Sequence, residues 1–103
     1  MKRIYLAGPI TGLPDFNYPA FNAAAKMLRD LGCDVQNPAE NPEPICGTWK
    51  GYMRMAVAQL VTCDQIAMLP GWCGSKGACI ERRLAYDIGI GETTVEDLVR
   101  EMQ

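Results

Sequence analysis

Short apolar runs that end at glycine or proline alternate along this chain with longer segments of helical periodicity. Residues 4–7 form such a run before Gly8-Pro9, and residues 66–69 form another before Pro70-Gly71. Each run is typical of a short buried strand. Because strands that alternate with helices form parallel sheets covered on both faces, we predict an α/β three-layer sandwich with a short parallel sheet, Rossmann- or flavodoxin-like. We expect three to five strands, with the strand that contains Tyr5 at the centre.

The other predicted elements follow from caps and periodicity. We predict strands at 33–35, from 64 and at 88–90, and helices at 17–32, 48–63, 77–88 and from a capping box at 93–96. Asn17 is the expected N-cap of the first helix, and Gly32 its C-terminal stop. The terminal helix should turn Val95, Leu98, Val99 and Met102 inward. With no repeat and no linker, we predict one domain over residues 1–103.

Composition excludes several classes of function. The net charge is −2 and the pI about 5.0, so no basic face is expected and nucleic acid is an unfavourable partner. No apolar run approaches the ~20 residues of a membrane span, and the apolar run after Arg3 is too short for the core of a signal peptide. We therefore expect a cytoplasmic protein without a membrane partner.

The chain has five cysteines and no histidine. No CxxC pair is present, so we predict no metal, no cofactor and no mechanism that uses imidazole. The simplest interpretation is a set of reduced thiols, partly in the core and partly on the surface. A nucleophilic Cys79 is an alternative, although no histidine or second acid is placed to activate it.

Three loops that follow predicted strands should meet at one edge of the sheet. They are residues 8–17, the segment after Asn37, and residues 71–76, and several of their glycines would let backbone amides approach a ligand. Ser75 and Lys76 would suit a phosphate at the start of the next helix. We expect Glu81 in the first turn of that helix, beside free backbone N–H groups. The alternative is that the glycines only form turns and that Glu81 is a solvated acid.

A family resemblance rests on motifs spread over residues 3–90. They are Ile4-Tyr5-Leu6-Ala7-Gly8-Pro9-Ile10, Asn37-Pro38-Ala39, Asp64 and Ser75-x-Gly77-Ala78-x-x-Glu81-x-x-x-Ala85. Their order and spacing resemble the nucleoside 2-deoxyribosyltransferase superfamily. Within it, the chain is most similar to small domains found in phages and prophages, near the deoxynucleoside 5′-monophosphate N-hydrolases.

The resemblance implies a retaining reaction at the anomeric carbon of a deoxynucleoside. Glu81 matches the glutamate that attacks C1′ and forms a glycosyl-enzyme ester, which water resolves in hydrolases and a second base in transferases. Tyr5 matches a tyrosine that orients this nucleophile; the alternative is a core aromatic residue. The implied substrate-binding residues are Gly8, Ile10, Asn37, Gly71, Ser75, Lys76 and Gly77.

Ser75 occupies a position that distinguishes two groups of the superfamily. In the superfamily that this chain resembles, transferases that act on free nucleosides have an aspartate at this position. The N-hydrolases have a serine there, which donates to the 5′-phosphate. Ser75 therefore favours 5′-monophosphates.

The chain departs from the family pattern at two positions. Ala56 replaces an aspartate that is thought to assist protonation of the leaving base, and Thr11 replaces an arginine of the N-hydrolases. A non-catalytic nucleotide-binding module is therefore the alternative function. A structural or protein-interaction domain, suggested by Trp49, Trp72 and the proline-rich loop, is a third. The family further implies a homodimer or larger assembly, with the 48–63 helix near the interface.

Overall fold

Four parallel strands form the centre of the protein in a computed structural model that describes residues 2–103. The strands are β1 (Arg3–Ala7), β2 (Asp34–Gln36), β3 (Gln65–Met68) and β4 (Gly91–Thr94). Their order in the sheet is β2-β1-β3-β4, and every neighbouring pair is parallel. The predicted α/β architecture is confirmed, and the strand that contains Tyr5 lies inside the sheet, as expected.

Helices cover both faces of this sheet. They are α1 (Tyr18–Asp30), α2 (Trp49–Leu60), α3 (Lys76–Asp87) and α4 (Val95–Met102). Three short 3₁₀ helices, Pro14–Asn17, Pro38–Glu40 and Trp72–Gly74, lie in the connections.

Side chains of β1 point alternately to the two faces because a strand has a period of two residues. Ile4 and Leu6 pack into a core with buried residues of α1 and α4. Tyr5 and Ala7 pack into a second core with buried residues of α2 and α3. Tyr5 therefore lies on the sheet face that α2 and α3 cover.

The last strand lies later in the sequence than expected. The predicted strand at 88–90 is wrong, because Ile88 caps α3 and Gly89 follows with a positive φ of 83°. The amide of Ile90 donates to the Ala85 carbonyl at 2.8 Å, so these residues complete the helix end. Pairing with β3 begins only at Gly91.

Two predicted caps are also corrected. Asn17 precedes α1 but does not cap it through its side chain, because its Nδ2 donates to the Pro9 carbonyl at 2.9 Å. The N-cap of α4 is Thr94 rather than Thr93, since the Thr94 hydroxyl accepts from the Asp97 amide at 3.0 Å. The predicted inner face of α4 is confirmed: Leu98 is buried, and Val95, Val99 and Met102 pack against the same core.

Among residues 2–103, no helix has both the length and the apolar character needed to cross a membrane. The same residues contain no group of three acidic or cysteine side chains arranged to hold a metal ion.

Candidate active site

Glu81 lies in the second turn of α3, not in the first. Ser75 is the N-cap, and its Oγ accepts from the Ala78 amide at 3.2 Å. The expectation that Glu81 sits beside free backbone N–H groups is therefore wrong. Its side chain turns toward the sheet instead and is only 6% exposed, so Glu81 is not a solvated acid either.

The buried carboxylate of Glu81 meets the phenol of Tyr5. Tyr5 is fully buried, and its hydroxyl donates a hydrogen bond to Glu81 Oε2. Burial raises the pKa of Glu81 to about 7, and the hydrogen bond from Tyr5 acts in the lowering direction. An acid with a pKa near neutrality exchanges easily between its protonated and ionised forms at physiological pH, which is typical of catalytic carboxyl groups.

Tyr5 itself remains protonated at neutral pH. Burial, followed by the charge of Glu81 and the hydrogen bond to it, raises the pKa of Tyr5 well above its ordinary value. Tyr5 is therefore a fixed donor to Glu81.

Glu81 and Tyr5 open onto a cavity of about 700 Å³. This volume lies within the range of small-molecule sites. Its walls come from the loop after β1, the start of α1, the segment 41–47, α2 and the start of α3. Of the residues predicted from the sequence, it is lined by Tyr5, Gly8, Ile10, Ser75, Lys76, Gly77 and Glu81.

Two predicted binding residues do not line this cavity. Asn37 is buried; its Oδ1 accepts from the Ala39 amide and its Nδ2 donates to Asn22 Oδ1, both at 3.0 Å. Gly71 has a positive φ of 84° and precedes the Trp72–Gly74 3₁₀ helix. Asn37 therefore caps a short helix and Gly71 forms a turn, and their binding roles stay predictions.

Packing requires a glycine at one cavity position and favours one at another. A Cβ on Gly8 would lie 2.7 Å from Leu69 Cβ, where β1 and the end of β3 run close together. A Cβ on Gly77 would lie 3.1 Å from Met53 Sδ, a tight contact with a flexible side chain where α2 meets α3. The small size of Gly8 therefore lets β1 and Leu69 approach each other.

Ser75 and Lys76 form a polar corner at the start of α3. Because Ser75 Oγ acts as an acceptor in the helix cap, its own hydroxyl proton can be donated to a ligand. The Lys76 ammonium lies 4.9 Å from the centre of the Trp49 ring, a cation–π contact that places its charge at the cavity wall. Such a corner suits an anionic group.

Several cavity residues were not predicted as site residues. Phe16, Tyr18, Trp49, Tyr52 and Glu43 all line the cavity. The helical spacing of Trp49 and Tyr52 predicts only a packed face of α2, and in the structure this face lines the cavity. Phe16 lies in a run of left-handed backbone at residues 15–17, and no pattern in the sequence indicates this conformation.

The two positions that depart from the family pattern both line the cavity. Ala56 is 7% exposed and Thr11 lies in the loop after β1. At Ala56 the wall therefore presents a methyl group.

Cys79, the alternative nucleophile, does not line this cavity. Its Sγ lies near the backbone carbonyls of Trp72 and Cys73, at 3.8 and 3.6 Å. All five cysteines are free thiols; Cys33 and Cys63 are buried and the other three exposed, as expected.

The fold and this buried Tyr–Glu pair define an α/β protein with a cavity at the carboxyl edge of its parallel sheet. The chain belongs to the family described as a domain of unknown function (DUF4406), whose model matches residues 2–93. Among curated proteins, the sequence has no significant match.

One solved structure with a similar fold is a 2-deoxyribosyltransferase from the psychrotolerant bacterium Bacillus psychrosaccharolyticus. The two chains share 24% identity with a TM-score of 0.69, over 87% of this chain and 69% of the other. The fold implied by the sequence resemblance is thereby confirmed.

Proposed function

We propose that the protein cleaves the N-glycosidic bond of deoxynucleosides, with 5′-monophosphates preferred, and that Glu81 is the nucleophile. The observation that supports this most is the burial of Glu81 against the Tyr5 hydroxyl at a cavity of about 700 Å³. The similar fold of a 2-deoxyribosyltransferase supports the same class of reaction.

In the proposed reaction, a Glu81 carboxylate oxygen attacks C1′ of the sugar. A C1′–O bond forms while the C1′–N bond breaks, and the base leaves with the electron pair of that bond and takes up a proton from water. Water or a second base then attacks C1′ from the opposite face, gives up a proton to solvent and releases the carboxylate, so the configuration is retained. Tyr5 orients the carboxylate and favours its ionised form.

The start of α3 supports a preference for a 5′-phosphate. Ser75 supplies a hydroxyl donor and Lys76 a cation, and neither repels a dianion. Lys76 would also supply the positive charge that Thr11 cannot.

A non-catalytic nucleotide-binding role is the second candidate, and Ala56 is the observation that favours it. The methyl group of Ala56 at the cavity wall cannot transfer a proton to the leaving base. General acid–base assistance is typically worth ~10²–10⁴-fold in rate.

The test is release of free base, measured by chromatography, from deoxynucleosides and their 5′-monophosphates. We expect release by the wild-type protein and none by Glu81→Gln, whose amide keeps the shape but cannot attack C1′. Binding by Glu81→Gln, measured by calorimetry, should persist. If the wild-type protein binds monophosphates and releases no base, the binding role replaces the enzymatic one.

We also propose that the protein assembles as a homodimer or larger oligomer with α2 near the interface. Phe16, Trp49 and Tyr52 at the cavity rim are 59%, 39% and 39% exposed, an apolar surface that a neighbouring subunit would cover. Light scattering should give at least twice the mass of one chain, and a monomer at micromolar concentration would contradict this.

A further inference from the structure

The cavity contains a second carboxylate that the proposed reaction does not use. Glu43 lines the same cavity as Glu81 but comes from the segment between β2 and α2. It is exposed, so it is not a second buried acid of the Glu81 type. Its position at a ligand cavity therefore needs a different explanation.

Prolines restrict the backbone on both sides of Glu43, because they occupy both neighbouring positions and fix their own φ angles. The Gly47 amide donates to the Pro44 carbonyl at 2.8 Å, and this turn brings Glu43 Oε1 to 3.5 Å from where a Cβ on Gly47 would lie. The carboxylate is thus folded back toward its own turn, while the residue stays exposed.

Aromatic side chains near the start of α1 and on α2 line the same cavity as this carboxylate. Tyr18 and Tyr52 line the cavity together with Glu43. Partial burial, followed by the charges of Glu43 and Tyr18, raises the pKa of Tyr52, so Tyr52 keeps its proton. The Phe16 ring lies next to Tyr18, with 5.7 Å between ring centres. These flat, apolar surfaces suit the faces of a planar ring.

The cavity wall therefore carries groups of two kinds. Ser75 and Lys76 offer a hydroxyl donor and a cation at the start of α3. The other lining residues include aromatic faces and the Glu43 carboxylate. A nucleoside monophosphate has groups that match both kinds, an anionic phosphate and a planar base bearing N–H donors.

We propose that Glu43 determines base specificity by accepting hydrogen bonds from two adjacent N–H groups on the edge of the base. This proposal rests on the proposed function. An ionised carboxylate only accepts hydrogen bonds and binds paired donors with both oxygens. Guanine presents such a pair, a ring N–H beside an exocyclic amine, so guanine is the favoured base. Thymine and uracil place carbonyl oxygens beside their single ring N–H, and these would face the carboxylate unfavourably.

The sharpest test compares deoxyguanosine and deoxyinosine monophosphates, because the two differ only by the exocyclic amine. Affinities are measured by calorimetry in the Glu81→Gln protein, so that no turnover interferes. We expect roughly 10- to 100-fold tighter binding of deoxyguanosine monophosphate, the range typical of one good paired contact. Adding Glu43→Gln should reduce the ratio to a few-fold, since the amide offers only one acceptor oxygen.

The matched control is Glu101→Gln, an exposed carboxylate of α4 outside the cavity, which should leave the ratio unchanged. Glu43→Asp keeps the charge and should retain part of the preference, which separates recognition from a general effect on the loop. Circular dichroism checks that each variant is folded.

An equal ratio in Glu43→Gln and in its parent would overturn the proposal, as would failure to bind either nucleotide. Failure of the proposed function looks different. In that case the Glu43-dependent ratio persists, while the protein with an intact Glu81 releases no base.

Discussion

Tyr5 donates a hydrogen bond to Glu81 across a separation of 76 positions in the sequence. The contact joins an inner strand to the second turn of α3, and both side chains are buried. A phenol held protonated beside a carboxyl group with a pKa of about 7 gives the cavity a group that ionises in the physiological range.

The first prediction concerns the pH dependence of base release. Because the nucleophile must be ionised, kcat/KM should rise with pH through about 7, the pKa of Glu81. The Tyr5 hydrogen bond lowers that pKa, so Tyr5→Phe should move the rising limb to higher pH. Rates measured from pH 5 to 9 check this, with Tyr86→Phe, an exposed tyrosine of α3, as the control. An unmoved or lowered limb in Tyr5→Phe would contradict it.

The second prediction concerns stability. Because burial raises the pKa of Glu81, the folded protein holds this proton more tightly than the unfolded chain does. The contribution to stability is complete below the ordinary pKa of 4.5 and is lost as the pH rises through about 7. A rise of the pKa over this interval corresponds to about 3 kcal/mol.

Glu81→Gln should therefore gain stability relative to the wild type between pH 4.5 and about 7.5. Urea denaturation across this range measures the difference in unfolding free energy. Glu101→Gln, on the surface of α4, should show no such trend. A constant difference between Glu81→Gln and wild type would mean that Glu81 is not destabilised as an anion.

The third prediction separates the structural and binding roles of Ser75. Aspartate is as good an N-cap as serine, so Ser75→Asp should melt within a few degrees of the wild type. Its charge should weaken binding of monophosphates relative to free nucleosides by roughly 10-fold, as expected for like charges at close range. Calorimetry with both ligand classes checks this. The reverse preference would place the phosphate elsewhere.

The fourth prediction concerns the missing acid. If protonation of the leaving base limits the rate, Ala56→Asp should raise kcat by up to ~10²–10⁴-fold. Ala58→Asp, on the exposed side of α2, is the control and should leave kcat unchanged. No gain from Ala56→Asp in a folded protein would show that the base leaves without help from this position.

The fifth prediction concerns Gly8. The methyl group of Gly8→Ala would collide with Leu69, and overpacking of this kind costs about 1–3 kcal/mol. Gly74→Ala is the matched control, because its Cβ would meet no atom within 4 Å. Thermal or urea unfolding compares the two variants. Equal stability would mean that β1 and Leu69 move apart at little cost.

Local patterns in the sequence were sufficient to predict most of the fold. The apolar run before Gly8 predicts a strand and the helical spacing after Thr48 predicts a helix, because both patterns depend only on neighbouring residues. The alternation of such strands and helices predicts the parallel topology. Element ends were less predictable. Helix α3 ends at Asp87, and Ile88 and Gly89 complete the helix end, although the sequence predicts a strand over residues 88–90.

The sequence alone determined that Glu81, Tyr5, Ser75 and Lys76 are candidate residues, because motif order and residue chemistry are local properties. Only the tertiary structure decided that Glu81 is buried and that the buried Asn37 bonds to Asn22. It also decided that Glu43 joins the cavity wall. Burial, and therefore the pKa of Glu81, depends on which distant elements pack together. That packing is a property of the whole fold and is not encoded in any short segment of the chain.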